Sequence, residues 1–380
     1  MNVVNGILQT VLWKFYYKAQ ILKTMKTGIR LTILILTISL CFQGLIAQDS
    51  RPWYQDEPFR RPVPNPKAKV LPLIKVDGNH FVDPEGKTIL FRGLSISDPD
   101  KIERQGHWNK SHFEIVKETG AMVVRIPVHP IAWRERTPDK YLALLDQAVE
   151  WCTDLGMYVM IDWHSIGNLG MELFQNPMYN TTKQETYQFW RTIAQHFNGN
   201  NTVAFYEIFN EPTIYRGQLG TMSWTEWKTI NENIINLIRA FDPETIPLVA
   251  GFDWAYDLTP LHDDPVNAEG IGYVTHPYEF KRSQPWEPKW EENFGFASAT
   301  YPVVATEFGF GLRSGQTINE EHYANRIIKY LEGKGISWVC WVYDPEWGPQ
   351  MLKSWDTYEL TESGEFFKKA MKGELDFQKK

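Results

Sequence analysis

Cysteine is scarce in this 380-residue chain: Cys41, Cys152 and Cys340 are all there is, without a CxxC pair or the cysteine–histidine spacing of a zinc site. Cys41 lies in an apolar leader. The other two fall in a helical and a strand pattern, so two buried free thiols are expected rather than a disulfide. No HxH or HExxH spacing gathers ligands for a catalytic metal, and neither a metal nor a cofactor is expected. No GxGxxG follows an early strand, which counts against an open dinucleotide-binding sheet. An excess of one charge is also missing. The 39 Lys and Arg and 46 Asp and Glu are interspersed, for a net charge of −7, so nothing points to a nucleic-acid partner.

Apolar and aromatic residues, by contrast, are abundant. The chain is 43% hydrophobic and 14% aromatic, with 16 Trp and 17 Tyr. That composition buries a sizeable core and belongs to a folded globular protein. The flat rings exceed what a core needs, so some are expected at the surface as platforms for flat ligands.

Near the start, Lys23, Lys26 and Arg30 precede the apolar run LTILILTISLCFQGLIA, which ends at Ala47 before a polar QDS. A charged segment, an apolar stretch and a small residue form the pattern of a signal peptide cut after Ala47. Met25-Lys26 would be an ordinary start for it, leaving residues 1–24 as an upstream extension. An uncleaved anchor is the alternative, since the run is nearly long enough to span a bilayer. Either way the leader, residues 1–47, predicts export to a secreted, periplasmic or cell-surface location, with no other membrane partner. Residues 48–70 are rich in proline and charge and are expected to form a linker or strap. Residues 71–375 are expected to form one domain, and a monomer is expected.

That domain opens with two turn signals, Asp77-Gly78 and Pro84-Glu85-Gly86, which predict a short N-terminal hairpin. Strand-like runs then occur at 89–93, 122–127, 157–164, 203–209, 247–251, 272–275, 303–307 and 338–343, most of them separated by helical patterns. In one helix Thr137 can cap, Pro138 suits the first turn and Gly156 can terminate. Another begins with the capping box Ser223-Trp-Thr-Glu226. A third is predicted over 319–331, stopping at Gly333. The helix between the fifth and sixth strands is weakly marked. Eight strand-then-helix units predict an α/β protein of the closed (β/α)8, or TIM-barrel, class.

In such a barrel the polar residues at the C-terminal strand ends line the active site. Here they are Arg125, Asp162, His164, Asn210, Glu211, His276, Tyr278, Glu307 and Trp341. Strand side chains alternate faces. Pairing Val123 with Arg125, Phe209 with Glu211, Val274 with His276, Ala305 with Glu307 and Val339 with Trp341 predicts that the first of each pair fills the barrel and the second points over its mouth. Two of the upper residues, Glu211 and Glu307, are carboxylates on different strands. A pair of carboxyl groups flanking a glycosidic bond can cleave it, one protonating the leaving oxygen and the other attacking the anomeric carbon or activating water. Asn210 could bind a sugar 2-hydroxyl, Arg125 and Tyr278 could keep Glu307 ionised, and Trp341 offers a flat face to a pyranose. Two other readings stay open. The histidines and acids could gather round a metal in a hydrolase on a similar barrel, or the chain could bind glycans without cutting them.

The segments RIPV, IDWH, YEIFNEP, THPY, ATEFGF and VCWVY, in this order, resemble glycoside hydrolase family 5, the cellulase family of the retaining (β/α)8 clan. The likeness runs over roughly 71–373, with Asn-Glu-Pro after the fourth strand its most specific part. It implies Glu211 as acid/base and Glu307 as nucleophile. Arg125, His164, Asn210, His276, Tyr278 and Trp341 match the remaining positions of the family's site. It further implies double displacement on a β-linked polysaccharide or oligosaccharide, most like endo-β-1,4-glucanases, with mannan and xyloglucan as alternatives. Trp163 and Trp254 are added as candidate sugar platforms, with Trp286, Trp290 and Trp347 beside strand-end loops. Within YEIFNEP, Glu207 should face the barrel interior, buried and paired with Arg125.

Overall fold

Eight apolar segments form the parallel strands of a closed barrel. They are Arg92–Ile96 (β1), Val123–Val128 (β2), Tyr158–Trp163 (β3), Val203–Glu207 (β4), Ile246–Ala250 (β5), Gly272–Thr275 (β6), Val303–Ala305 (β7) and Ser337–Tyr343 (β8). Each pairs with its sequence neighbours, and β8 pairs with β1 to close the ring. The computed structural model describes residues 70–213, 218–312 and 316–379. The leader at 1–47, Cys41 and all but the last residue of the 48–70 linker lie outside them. Among the described residues no helix is long and apolar enough to cross a membrane.

The outer layer is helical. Its members include Lys110–Glu118 (α1), Pro138–Leu155 (α2), Lys183–Phe197 (α3), Trp224–Phe241 (α4), Glu287–Asn293 (α5), Tyr323–Gly333 (α6) and Glu362–Met371 (α7). The local signals explain several boundaries. Helix α2 begins at Pro138, whose missing N–H costs nothing in a first turn, and ends at Gly156 in the left-handed region (φ 69°). Ser223 caps α4 by accepting the Glu226 N–H at 3.1 Å. Thr137 does not cap α2: its hydroxyl donates to the Asp139 carboxylate instead. Helix α6 starts at Tyr323 rather than 319, where the His322 ring accepts the Ala324 N–H at 3.1 Å. Between β5 and β6 only short turns form, Phe252–Ala255 and Thr259–His262, in keeping with the weak helical signal there. Cys152 and Cys340 are buried and free, as expected.

The first barrel strand is β1 at Arg92–Ile96, not 89–93. Ile89 instead belongs to the strand Thr88–Ile89, which joins Lys75–Asp77 and His80–Val82 in the N-terminal hairpin sheet. The run from Ile89 to Ile96 is mostly apolar, so periodicity alone could not place the boundary. Gly93 marks the true strand. A Cβ there would sit 2.1 Å from the Val123 carbonyl oxygen, so β1 approaches β2 too closely for any side chain. The hairpin plugs the bottom of the barrel. Phe81 packs edge-on against Phe91 and Phe205, with ring centres 6.1 and 5.0 Å away.

Above that plug the barrel interior holds Val123, Met160, Phe205, Val274, Val304 and Val339, all buried in one apolar cluster. Two residues further along each chain stand Arg125, Asp162, Glu207, His276, Thr306 and Trp341. An apolar floor therefore carries a mostly polar layer, built by strict alternation on six strands. This corrects the expected pairing on two of them. Phe209 and Ala305 pack outward among the helices, not inside the barrel. Strands β4 and β7 end at Glu207 and Ala305, earlier than predicted, so Glu211 and Glu307 reach the mouth only after the chain has left the strand.

Candidate active site

Arg125 is the hub of the polar layer. Fully buried on β2, it donates from Nε and Nη2 to both oxygens of Glu207 at 2.7 and 3.0 Å. Nη2 also reaches Asn210 Oδ1 at 2.6 Å and Asp162 Oδ2 at 2.9 Å, and Nη1 donates to Glu307 Oε2 at 3.1 Å. Burial by itself would weaken the guanidinium charge; the Asp162, Glu207 and Glu307 carboxylates overcome that and raise its pKa. Burial would likewise push Glu207 up, but Arg125 and His276 hold it down at about 2. Glu207 is thus the buried, Arg125-paired acid that its strand position predicts. Asp162 differs: burial, reinforced by the surrounding acids, lifts it well above the usual range despite Arg125.

Backbone pairing past the strand ends aims the next residues. The Asn210 N–H bonds the Trp163 carbonyl at 3.1 Å, and the Glu211 N–H bonds that of Ser165 at 3.1 Å. Glu211–Pro212 then runs parallel to Ile166–Asn168 in a small sheet beside the mouth. Glu211 Oε1 lies 3.0 Å from His276 Nδ1. Glu307 Oε1 accepts the Tyr278 hydroxyl at 2.9 Å while Oε2 accepts from Arg125. Both glutamates are 7% exposed, reachable from the cleft but largely dry. Burial, with the Glu211 charge, raises Glu307; His276, Arg125 and the Tyr278 hydroxyl act in the opposite sense. Asn210 Nδ2 is buried and has no hydrogen-bond partner among the described residues.

The remaining members close the walls. His164 Nδ1 is 2.6 Å from Asp162 Oδ2, and its ring lies parallel to Trp341 at 5.3 Å. Burial, then the charges of His129, Arg125 and His276, hold His164 well below the usual histidine value, so it is neutral. His164, Glu211, Tyr278, Glu307 and Trp341 therefore line one cleft of about 840 Å³. Arg125, Asn210 and His276 are fully buried behind them, Arg125 bonded to Asn210 and Glu307 and His276 to Glu211. A groove of about 1520 Å³ lies elsewhere, beside α6 and α7, and contains none of them. One oxygen or nitrogen each of Glu211, His276 and Glu307 lie within 4.8 Å of one another, a spacing that could also hold a cation. All three residues are already engaged with protein partners, so an ion would have to displace those hydrogen bonds.

The tryptophan platforms divide. Trp254 and Trp347 line the cleft. Trp254 donates to Gln175 Oε1 at 3.1 Å with Lys281 Nζ 5.0 Å from its ring, and Trp347 lies parallel to Trp341 at 6.0 Å. Trp163 is not at the site. It follows the inward Asp162, so it points outward, fully buried, stacked on Phe189 at 4.1 Å and donating to Thr186. Trp286 and Trp290 likewise pack against Tyr323 of α6. Sequence reasoning missed His129, Tyr179 and Phe280, which line the same cleft. His129 continues the alternation 125, 127, 129 and could have been found that way. Its Nδ1 is held by Asp98 Oδ2 at 2.9 Å. Tyr179 ends the short 3-10 turn Pro177–Tyr179, capped by Asn176, and no strand periodicity points to it. Phe280 lies parallel to Tyr278 at 5.2 Å and is 79% exposed.

Residues 82–346 match the model of the cellulase family, glycosyl hydrolase family 5. A crystallised β-glucanase from Saccharophagus degradans is 43% identical, with a TM-score of 0.79 over 86% of this chain and 99% of its own; the same protein has been crystallised with cellotetraose. An endoglucanase of Clostridium saccharobutylicum is 27% identical over 79% of this chain, and endoglucanase E-5 of Thermobifida fusca 26% over 72%. The matches span 65% and 56% of those two relatives' lengths, so the chain corresponds to part of each.

Proposed function

The chain belongs to glycosyl hydrolase family 5, and on that premise we propose that it hydrolyses β-1,4-linked glucan chains with retention of anomeric configuration. The observation that carries this is the approach of Glu211 and Glu307, one oxygen of each within 4.8 Å of the other. Retaining glycosidases hold their carboxyls about 5–5.5 Å apart, whereas inverting ones leave roughly 6.5–9.5 Å for a water. Glu307, with Arg125 and Tyr278 donating to its two oxygens, is the nucleophile: its carboxylate attacks the anomeric carbon as the glycosidic bond breaks. Glu211 gives its proton to the leaving oxygen. It then takes a proton from the water that hydrolyses the glycosyl–Glu307 ester. Asn210 Nδ2 is the donor for the sugar 2-hydroxyl, and Trp341 is the platform beneath the reacting ring. The likeness to a β-glucanase crystallised with cellotetraose supports a glucan backbone. The leader at 1–47 supports export to where such polymers occur.

The test is a digest of soluble cellulose derivative, mixed-linkage β-glucan, mannan and xyloglucan, followed by product length and by proton NMR of the first reducing ends formed. Glucan should be cut, with the β-anomer appearing first. Initial release of the α-anomer would sink the retaining mechanism. Faster cutting of mannan or xyloglucan would move the substrate, and binding without any cleavage would favour the glycan-binding alternative.

Phe280 offers a smaller check on the cleft. One face of its ring is covered by Tyr278 and the rest is open, an arrangement suited to stacking on a sugar beyond the reacting one. Phe280→Ala should raise KM for polymer roughly fivefold, the equivalent of about 1 kcal/mol, with kcat little changed. An unaltered KM would remove Phe280 from the binding surface.

A further inference from the structure

Thr306, the residue before Glu307, joins groups that lie far apart in the chain. Its Oγ1 donates to Glu207 Oε1 at 2.9 Å and lies 3.0 Å from His276 Nε2. A hydroxyl has a single proton to give. Glu207 is an ionised carboxylate gripped by Arg125 and so can only accept. The Thr306 proton is therefore committed to Glu207, and the Thr306 oxygen must accept from the ring. His276 Nε2 consequently carries a hydrogen; Glu207 Oε1, 3.5 Å from that nitrogen, favours the same assignment.

The other ring nitrogen faces the acid, with Nδ1 3.0 Å from Glu211 Oε1. When Nε2 is protonated, Nδ1 of a neutral ring is a lone pair, and it can accept from Glu211 only if Glu211 holds a proton. In the opposite tautomer Nδ1 would donate, and Glu211 would be held as a carboxylate with nothing to give a leaving group. We infer that Glu207 and Thr306 are positioning residues that lock His276 in its Nε2–H form and so keep the acid proton on Glu211. This rests on the hydrolase mechanism proposed above and adds to it a source for the acid's protonation.

Other charges surround the pair. Glu307 just past β7, Asp162 on β3, His164 just past it, Lys281 after β6 and Tyr179 after β3 all interact with His276 or Glu211. Burial disfavours a charged His276, while Glu307, Glu207 and Glu211 favour it and raise its pKa on balance. In an imidazolium both ring nitrogens donate and Glu211 is the carboxylate, so a His276 found charged across the working pH range by NMR would overturn the assignment.

The test is Thr306→Val, which keeps shape but removes donor and acceptor together; Thr306→Ala replaces it should valine not fit. The kcat/KM profile against pH is measured on two cellobiosides, one with a poor alkoxide leaving group and one with dinitrophenolate. Without the lock the acid loses its proton more readily, so the alkaline limb should move down by about one pH unit. Activity should fall by roughly 10–100-fold on the poor leaving group and less than about threefold on dinitrophenolate, which needs no protonation. Thr306→Ser should restore both. An unmoved alkaline limb, or equal losses on the two substrates, would overturn the assignment and leave Thr306 a packing residue. A wild-type protein inactive on both substrates would instead count against the hydrolase mechanism itself.

Discussion

Glu307→Gln should lower turnover of β-glucan by about four orders of magnitude, roughly 5 kcal/mol of lost transition-state stabilisation. The amide is close in shape to the carboxylate and can still accept from Tyr278, which now donates to Glu307 Oε1 at 2.9 Å. What it lacks is the negative charge that, in the proposed mechanism, attacks the anomeric carbon. Folding should be spared, because the change removes one of several acids crowded round Arg125 rather than the cation itself. Reducing-sugar release on a soluble glucan, with circular dichroism for folding, measures both. Glu211→Gln should behave differently. It should be severely impaired on polymer, yet with a dinitrophenyl glycoside and azide it should form glycosyl azide, since that route needs neither the acid nor the base step. Wild-type rates in Glu307→Gln would refute the assignment of the nucleophile.

Arg125→Met should destabilise the fold by about 3–5 kcal/mol and abolish activity with it. Arg125 lies 2.7 Å from Glu207, 2.9 Å from Asp162 and 3.1 Å from Glu307, and the first two of these acids are wholly buried. Removing the cation leaves buried carboxylates facing one another, and these must take up protons or admit water. The double variant Arg125→Met/Glu207→Leu should regain part of the stability, because it removes the worst of the uncompensated charge, and none of the activity. Urea unfolding curves would measure both; a single variant within about 1 kcal/mol of wild type would sink the idea. The pH sign follows from Glu207, whose pKa is depressed from 4.5 to about 2. Its ionic contribution is complete above 4.5 and is lost as pH falls towards 2. The wild-type advantage over Arg125→Met should shrink across that window.

Much of this site is written locally. The alternation of strand-like and helical segments implies a barrel, because eight such units can bury their apolar faces by closing on themselves. Glu207 was legible as a buried acid because a central strand leaves a side chain only two directions. The clustering of Arg125, His164, Asn210, Glu211, His276, Tyr278, Glu307 and Trp341 was legible because the C-terminal ends of parallel barrel strands share one rim. Trp163 was misplaced for want of one fact, that Asp162 takes the inward position on β3.

The sequence alone therefore determined the chain's class, its rim of polar residues and its pair of glutamates, since these depend on short-range periodicity and residue type. Only the tertiary structure decided how the glutamates arrive there. Alternation counts residues from a strand end, and sequence locates that end only to within a few positions, so Glu211 and Glu307 were placed on the right rim by the wrong count. Nor could any local pattern show that Thr306 meets Glu207, 99 residues away, or that Arg125 reaches Glu307 across 182. Contacts of that kind exist only once the barrel has closed and brought the ends of β2, β4 and β7 round a common axis.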